Sequence, residues 1–418
     1  MHTADVAVVG AGPAGVATAI ALARAGRDVV VVDKARFPRD KCCGDGLTTG
    51  ALRLLEGIGL DPSTIPSWQV VDDVVVRGPA GREVTFPLPR GRGQYAAVAR
   101  REELDAALVD LAREAGATVL EGAAVTGATS RPDRVELEVD GTEQVVARYA
   151  VGADGMWSPL RKHLGVDPAR RDLGEWHAFR QYFTGVGPRA SRELFVWFEA
   201  DLLPGYAWSF PVAGGGANVG FGIQRGGRMT TQEMGRCWPE LLDRSHVREV
   251  LGPDAVPEGP HKAWPIPAHI ERAALTAAGG RALFVGDAAA ASDPLTGEGI
   301  GQALLTGRLA ADAIVAAGGL RPAAAASRYE AAVARELVPD ARMSQLLIRA
   351  VRHRKGVRGA LGVAGASGWT RRSFGRWLFE DHPRAYLATP GRWSQHALAG
   401  DGAWSSVAPP DASFSGTR

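Results

Sequence analysis

Apolar positions along the chain fall into blocks whose periods announce their elements. Residues 6–9 form a short β-branched run, read as a buried strand. The segment G-A-G-P-A-G at 10–15 follows directly, and residues 16–25 carry the pattern of a helix that Gly26 stops. A second apolar run at 29–32 ends at Asp33. Farther on, Leu104, Ala107, Leu108 and Leu111 recur at helical spacing, and residues 121–126 read as a strand. Another strand at 283–285 ends in Gly286 and Asp287, and a helix is predicted from Gln302 towards Ala317. Residues 68–97 and 172–265 alternate as strands do and are rich in aromatics, whereas the chain from Ala323 onward reads as helical. Within the second of these segments, period-two spacing puts Tyr206, Trp208 and Phe210 on one strand face.

The first block is a complete βαβ unit with G-x-G-x-x-G at its first turn and an acid closing its second strand. Gly10 permits the turn, Gly12 lets backbone approach a pyrophosphate, and Gly15 lets helix pack on strand. Ala14 lies at the helix start that would face the phosphates, and Asp33, followed by Lys34, is placed for a ribose hydroxyl. The pattern predicts a dinucleotide and leaves NAD and FAD open.

Composition narrows the classes. A chain of 418 residues is long enough for more than one domain. Its 48 Lys+Arg against 46 Asp+Glu leave a net charge of +2, which argues against nucleic acid as a partner. The 53 glycines show no collagen period and mark turns and close approaches instead. Cys42, Cys43 and Cys237 make neither a disulfide framework nor a zinc site, so a reducing compartment is expected. No apolar run of spanning length and no signal-peptide pattern stand out, and a cytoplasmic location is the expectation.

Residues 37–48, F-P-R-D-K-C-C-G-D-G-L-T, resemble the F-P-R-D-K-x-C-G-D-G-L-T signature of the geranylgeranyl reductase family, FAD enzymes of the p-hydroxybenzoate-hydroxylase fold. The resemblance implies that Cys43, Gly44, Asp45 and Gly46 pass close to the isoalloxazine ring, with Cys43 as the candidate catalytic residue. Cys42 stands where that family often has proline. The helix beginning near residue 101 is similar to the family's R-x-x-F/L-D helix, which assigns cofactor contact to Arg101, with Arg100 adjacent; a guanidinium suits a pyrophosphate because it pairs bidentately. Val125 would meet the adenine. Residues 152–161 look like G-A-D-G-x-x-S-x-x-R, which brings in Asp154 for structure as much as for cofactor. Residues 286–301 resemble G-D-A-A…P-L-x-G-E-G-I, which assigns Gly286 and Asp287 to the ribityl chain. Pro294, Gly297, Gly299 and Ile300 then face the flavin O2/N1 edge, where a helix N-terminus stabilises the negative charge of the reduced ring.

The run at 203–211 matches the family's P-x-x-Y-x-W-x-F-P pattern, which implies a substrate pocket lined by Tyr206, Trp208, Phe210 and Pro211. Arg180, on a neighbouring strand, either meets a polar substrate group or sits in a surface ion pair. The expected fold is α/β: a Rossmann-like FAD domain (1–67, 98–171 and 266–322), an inserted antiparallel β-sheet substrate domain (68–97 and 172–265), a C-terminal helical region (323–400) and a disordered tail (401–418). The implied activity is reduction of carbon–carbon double bonds in an apolar isoprenoid-type substrate, with NAD(P)H or a partner reductase as electron donor. FAD-dependent monooxygenation of an aromatic or natural-product substrate is the alternative. Halogenation is disfavoured because no lysine occurs between Lys41 and Lys162. A non-catalytic, flavin-bound ligand-binding protein is a further class. The stretch 341–379 holds nine Lys or Arg and no acid, with Trp369, Phe374, Trp377 and Leu378 as apolar anchors, which suggests peripheral contact with an anionic membrane or docking of an anionic substrate.

Overall fold

The computed structural model describes residues 1–140, 144–166, 174–319, 321–393 and 400–405. In chain order, the first part comprises β1 (His2–Val9), α1 (Pro13–Arg24), β2 (Val29–Asp33), β3 (Gly46–Thr48), α2 (Thr49–Gly57), β4 (Gln69–Val70), β5 (Asp73–Arg77), β6 (Glu83–Pro87) and β7 (Ala96–Val98). The second comprises α3 (Arg101–Glu114), β8 (Thr118–Glu121), β9 (Val125–Ser130), β10 (Val135–Val139), β11 (Val145–Gly152) and α4 (Pro159–His163). Next come β12 (Trp176–Thr184), β13 (Leu194–Trp197), β14 (Ala207–Val212), β15 (Gly216–Gln224), α5 (Met234–Leu242), α6 (Ser245–Leu251) and β16 (Val256–Ile266). The chain then forms β17 (Thr276–Ala277), β18 (Ala282–Phe284), α7 (Ile300–Ala317), α8 (Pro322–Glu336), α9 (Val338–Val351), α10 (Arg354–Ala364) and α11 (Gly368–Leu378).

One sheet runs β17-β18-β11-β1-β2-β8, with the β9–β10 hairpin attached through β11. Its centre is parallel, β1 pairing with both β2 and β11. Because strand residues alternate, Val6 and Val8 enter the core under α1 and α7, while Ala7 and Val9 enter the core on the opposite face. Burial on both faces explains why β1 and β2 are continuous apolar runs. The strand expected over 121–126 is two: β8 ends at Glu121 and β9 starts at Val125, with Gly122 at φ +67° turning the chain between them.

A second sheet runs β16-β12-β15-β14-β13-β5-β6. It is antiparallel except where β13 meets β5 in parallel. One face packs on α5 and α6 through Trp197, Phe221 and Trp238. The other carries Val74 and Val76 towards α10 and α11. A small sheet, β3-β7-β4, stitches the two together: β7 pairs with β3, the glycine-rich loop's strand, and β4 pairs with β7, so neither joins the large antiparallel sheet.

Two expectations need correction. Helix α7 is, by length and composition, apolar enough to cross a membrane, contrary to the reading of the sequence; in the fold it is mostly buried and packs on α1, α2 and α8. The tail expected to be disordered is ordered over residues 400–405. There Ala403 is fully buried and exchanges backbone hydrogen bonds with Gln94 (2.7 and 2.9 Å), Asp401 pairs with Arg92, and Trp404 meets Trp68 edge-on at 5.6 Å. Residues 406–418 lie outside the described residues.

Candidate active site

A single cavity of about 970 Å³ is bounded by the glycine turn, the loop after β2, the inner face of the second sheet and the C-terminal helices. At one end lies the turn from β1 into α1. Gly10 takes φ +103°, and a Cβ there would sit 2.3 Å from the Ala153 carbonyl oxygen. Gly15 is forced by the turn itself, since its Cβ would fall 1.8 Å from the Gly10 oxygen. Gly12 differs: a Cβ there meets only the tip of Arg39, at 3.8 Å, so the space in front of it is open. Gly12 also caps α1 without a side-chain hydrogen bond, leaving the first amide groups of the helix for a ligand. Asp33 braces this turn, accepting from Ala11 N (2.7 Å) and Ala35 N (2.8 Å).

Beside the turn, two guanidinium groups share one buried carboxylate. Arg101 makes a bidentate pair with Asp105 (2.8 and 2.8 Å), and Arg39 approaches the same group at 3.0 Å. Two positive charges against one negative leave a surplus next to an open helix N-terminus, which fits a pyrophosphate. Arg100 points elsewhere, to Glu258, at 2.7 and 2.6 Å. At the far side of the cavity, Gly299 caps α7 with no side-chain hydrogen bond from the cap itself, while Glu298 accepts from Gly301 N (2.5 Å). Asp287, Pro294, Gly297, Gly299 and Ile300 line this part. Asp154 also lines the cavity and accepts from Ser158 Oγ (2.6 Å) and Leu160 N (2.9 Å); burial nevertheless lifts its carboxyl to about 6.

The loop between these ends is held against the second sheet. Asp45 adopts φ +64° and is fully buried. Its carboxyl accepts from the Tyr182 hydroxyl and from Asn218 Nδ2 (2.9 Å), and burial raises it to about 6. Asn218 Nδ2 also donates to the Cys43 carbonyl (2.9 Å), while Asn218 Oδ1 accepts from Trp208 Nε1 (3.1 Å). Burial pushes both thiols up, that of Cys42 to about 12, so neither sulfur is a thiolate at neutral pH. Gly46 packs on Phe210: a Cβ there would be 3.1 Å from the ring. Tyr206, Trp208 and Phe210 follow one another at 6.1 and 5.9 Å between ring centroids, a continuous aromatic wall over the loop.

Of the residues assigned from sequence, Gly15 and Pro211 do not line the cavity. Gly15 faces the Gly10 carbonyl. Pro211 is one residue out of phase with Trp208 and Phe210, so alternation along β14 turns it to the other face. Arg180 is no surface ion pair: it is 2% exposed, bonded to Asp40 (2.5 Å) and stacked over Tyr182. Sequence reasoning assigned no role to Arg39, Lys41, Tyr182 or Asn218. It also gave the C-terminal helices no part in the cavity, yet Leu361, Phe374, Trp377 and Leu378 line it. The F-P-R-D-K run contained the signal for Arg39 and Lys41; pairing across strands, which no spacing reveals, was needed for Asn218.

Comparison with known proteins places the chain among FAD-binding proteins. Residues 3–317 match the family described as FAD binding domain. The chain is 37% identical over 336 residues to a menaquinone reductase of Mycobacterium tuberculosis, covering 74% of this chain and 76% of that protein. It is 33% identical over 315 residues to digeranylgeranylglycerophospholipid reductase 2 of Methanopyrus kandleri, covering 74% and 76%. Among solved structures, a geranylgeranyl bacteriochlorophyll reductase-like protein of Thermoplasma acidophilum superposes with a TM-score of 0.78 at 20% identity, covering 93% of this chain and 98% of that one.

Proposed function

The chain belongs to the geranylgeranyl reductase family of FAD-binding oxidoreductases, and from that premise we propose that it saturates carbon–carbon double bonds in an apolar, isoprenoid-type substrate. The observation that carries this reading is continuity. The glycine cradle, the aromatic wall and an apolar section between β5, β13 and the helices α10 and α11 belong to one cavity.

Reduced FAD supplies a hydride when bound. The residues around it do the rest. Gly12, Arg39 and Arg101 would hold the pyrophosphate, Asp33 and Val125 the adenosine side, and Gly286 and Asp287 the ribityl chain. The N-terminus of α7 would offer positive potential to the negative edge of the reduced ring. Tyr206, Trp208 and Phe210 hold the prenyl chain against the loop and exclude water. Burial keeps the Cys43 thiol protonated, so its sulfur brings a proton into the site and not a nucleophilic anion. Electrons arrive from NAD(P)H or from a partner reductase, and rapid mixing of the oxidised protein with NADPH separates the two. The exposed Trp369, Arg371 and Arg372 of α11, beside the exposed Arg354, Lys355 and Arg358 of α10, form a face suited to an anionic membrane.

The deciding experiment is anaerobic. The protein is reduced, prenylated quinones or prenyl lipids are added, and flavin reoxidation is followed together with product mass. Product heavier by two hydrogens supports the reading. A requirement for dioxygen, with product heavier by one oxygen atom, replaces it with monooxygenation.

A further inference from the structure

Lys41 follows Asp40 in the loop that carries the cofactor and substrate segments, and its side chain enters the cavity. Its ammonium lies 3.7 Å from the centroid of the Trp264 ring on β16. Among the described residues it has neither a carboxylate within ion-pair distance nor a hydrogen bond at Nζ. The nearby carboxylate Asp40 is already engaged by Arg180 and Lys262. The ammonium thus has a ring face as its partner and no carboxylate, which leaves N–H groups available to an acceptor in the cavity. Desolvation lowers its pKa, Asp287 opposes that, and Arg39 and Arg101 add to it.

The position of this cation in the sheet matters. Trp264 lies on β16, one edge of the seven-stranded sheet; Trp208 lies on β14, and Val74 and Val76 lie on β5, where Leu361 and Phe374 close the cavity. Five strand steps separate β16 from β5, roughly 24 Å at the usual strand spacing. The cavity is therefore cationic at one end, aromatic in the middle and uncharged and apolar at the other end.

We propose that Lys41, seated on Trp264, is the head-group site for an amphiphilic substrate: it donates to an oxygen acceptor on the head, while the prenyl tail runs across the aromatic wall to α10 and α11. This assignment rests on the prenyl-reductase reading and adds the direction in which the substrate lies. The acceptor is a quinone carbonyl or a phosphoryl oxygen, and both take the same charge-assisted hydrogen bond.

The test uses FAD-loaded wild type, Lys41→Met and Lys41→Arg. Tryptophan fluorescence quenching measures binding of a prenylated naphthoquinone, a prenyl phosphate and squalene, which has no head. FAD affinity is measured in parallel. Lys41→Met should bind at least one headed ligand about ten-fold more weakly, a loss typical of one charge-assisted hydrogen bond. Squalene and FAD binding should be unchanged, and Lys41→Arg should recover much of the loss. The ligand that suffers identifies the head. Unchanged binding of both headed ligands, equal weakening of squalene, or lost FAD would overturn the head-group site. Wild type that binds none of the three would instead remove the prenyl-reductase reading beneath it.

Discussion

Asn218 on β15 donates a hydrogen bond of 2.9 Å to the Asp45 carboxyl, tying the inner face of the second sheet to the loop beside the glycine cradle. The same amide holds the Cys43 carbonyl and, through Oδ1, Trp208 Nε1. Asn218→Leu keeps the approximate volume and removes all three links. Each group left unsatisfied in the interior costs about 1–3 kcal/mol. The variant should melt earlier and lose turnover well beyond its loss of bound FAD. Full activity at normal FAD content would show that the link does not position the site.

Burial lifts the Asp45 carboxyl from its ordinary 3.8 to about 6. Between those values the folded chain holds a proton that the unfolded chain has released, so this group's contribution to stability falls as pH rises through the window and is level outside it. Asp45→Asn removes the titration. Relative to that variant, wild type should lose on the order of 3 kcal/mol of unfolding free energy between about pH 4 and about pH 7. Denaturant melts at several pH values measure it; a constant difference would mean that Asp45 titrates alike in both states.

Gly12→Val should abolish FAD binding and leave the fold intact. The backbone there has an ordinary φ of −75°, and an added Cβ meets only Arg39 at 3.8 Å. Circular dichroism should match wild type while the purified protein is colourless. Gly15→Val is the contrasting case, since its Cβ would overlap the Gly10 oxygen and disrupt the turn.

Trp208→Ala and Trp197→Ala separate an aromatic that contacts substrate from one that builds the core. Trp208 lines the cavity, whereas Trp197 is fully buried in the opposite core. Trp197→Ala should cost about 3–5 kcal/mol and carry the flavin down with the fold. Trp208→Ala should keep flavin and lose turnover of a long apolar substrate. Equal losses of flavin in both variants would place Trp208 with the core.

Replacing Arg371 and Arg372 by Glu should reduce sedimentation with phosphatidylserine vesicles several-fold and leave binding to neutral vesicles unchanged. Both side chains are exposed, so stability should stay within about 0.5 kcal/mol of wild type. Equal sedimentation of variant and wild type would dismiss the membrane face.

The βαβ unit and its glycines were legible in the sequence because their causes are local. A two-sided buried strand must be apolar throughout, and Gly10 is needed where φ is positive, whatever surrounds it. The aromatic wall was legible for the same reason, since alternation alone aligns Tyr206, Trp208 and Phe210. Pro211 failed by that same rule, being one residue out of phase. Long-range contacts were decided only by the tertiary structure. Nothing in the spacing of Asn218 foretells that it bonds to Cys43 and Asp45, 175 and 173 residues away. Phe374 and Trp377 read as surface anchors until α11 folds back over the second sheet and turns them into the cavity. The order of residues 400–405 likewise depends on Gln94 and Trp68, hundreds of positions distant. Local conformation follows from the covalent chain and its period, whereas burial and partnership depend on which surfaces meet, and that is settled only when the two sheets and the C-terminal helices close on one another.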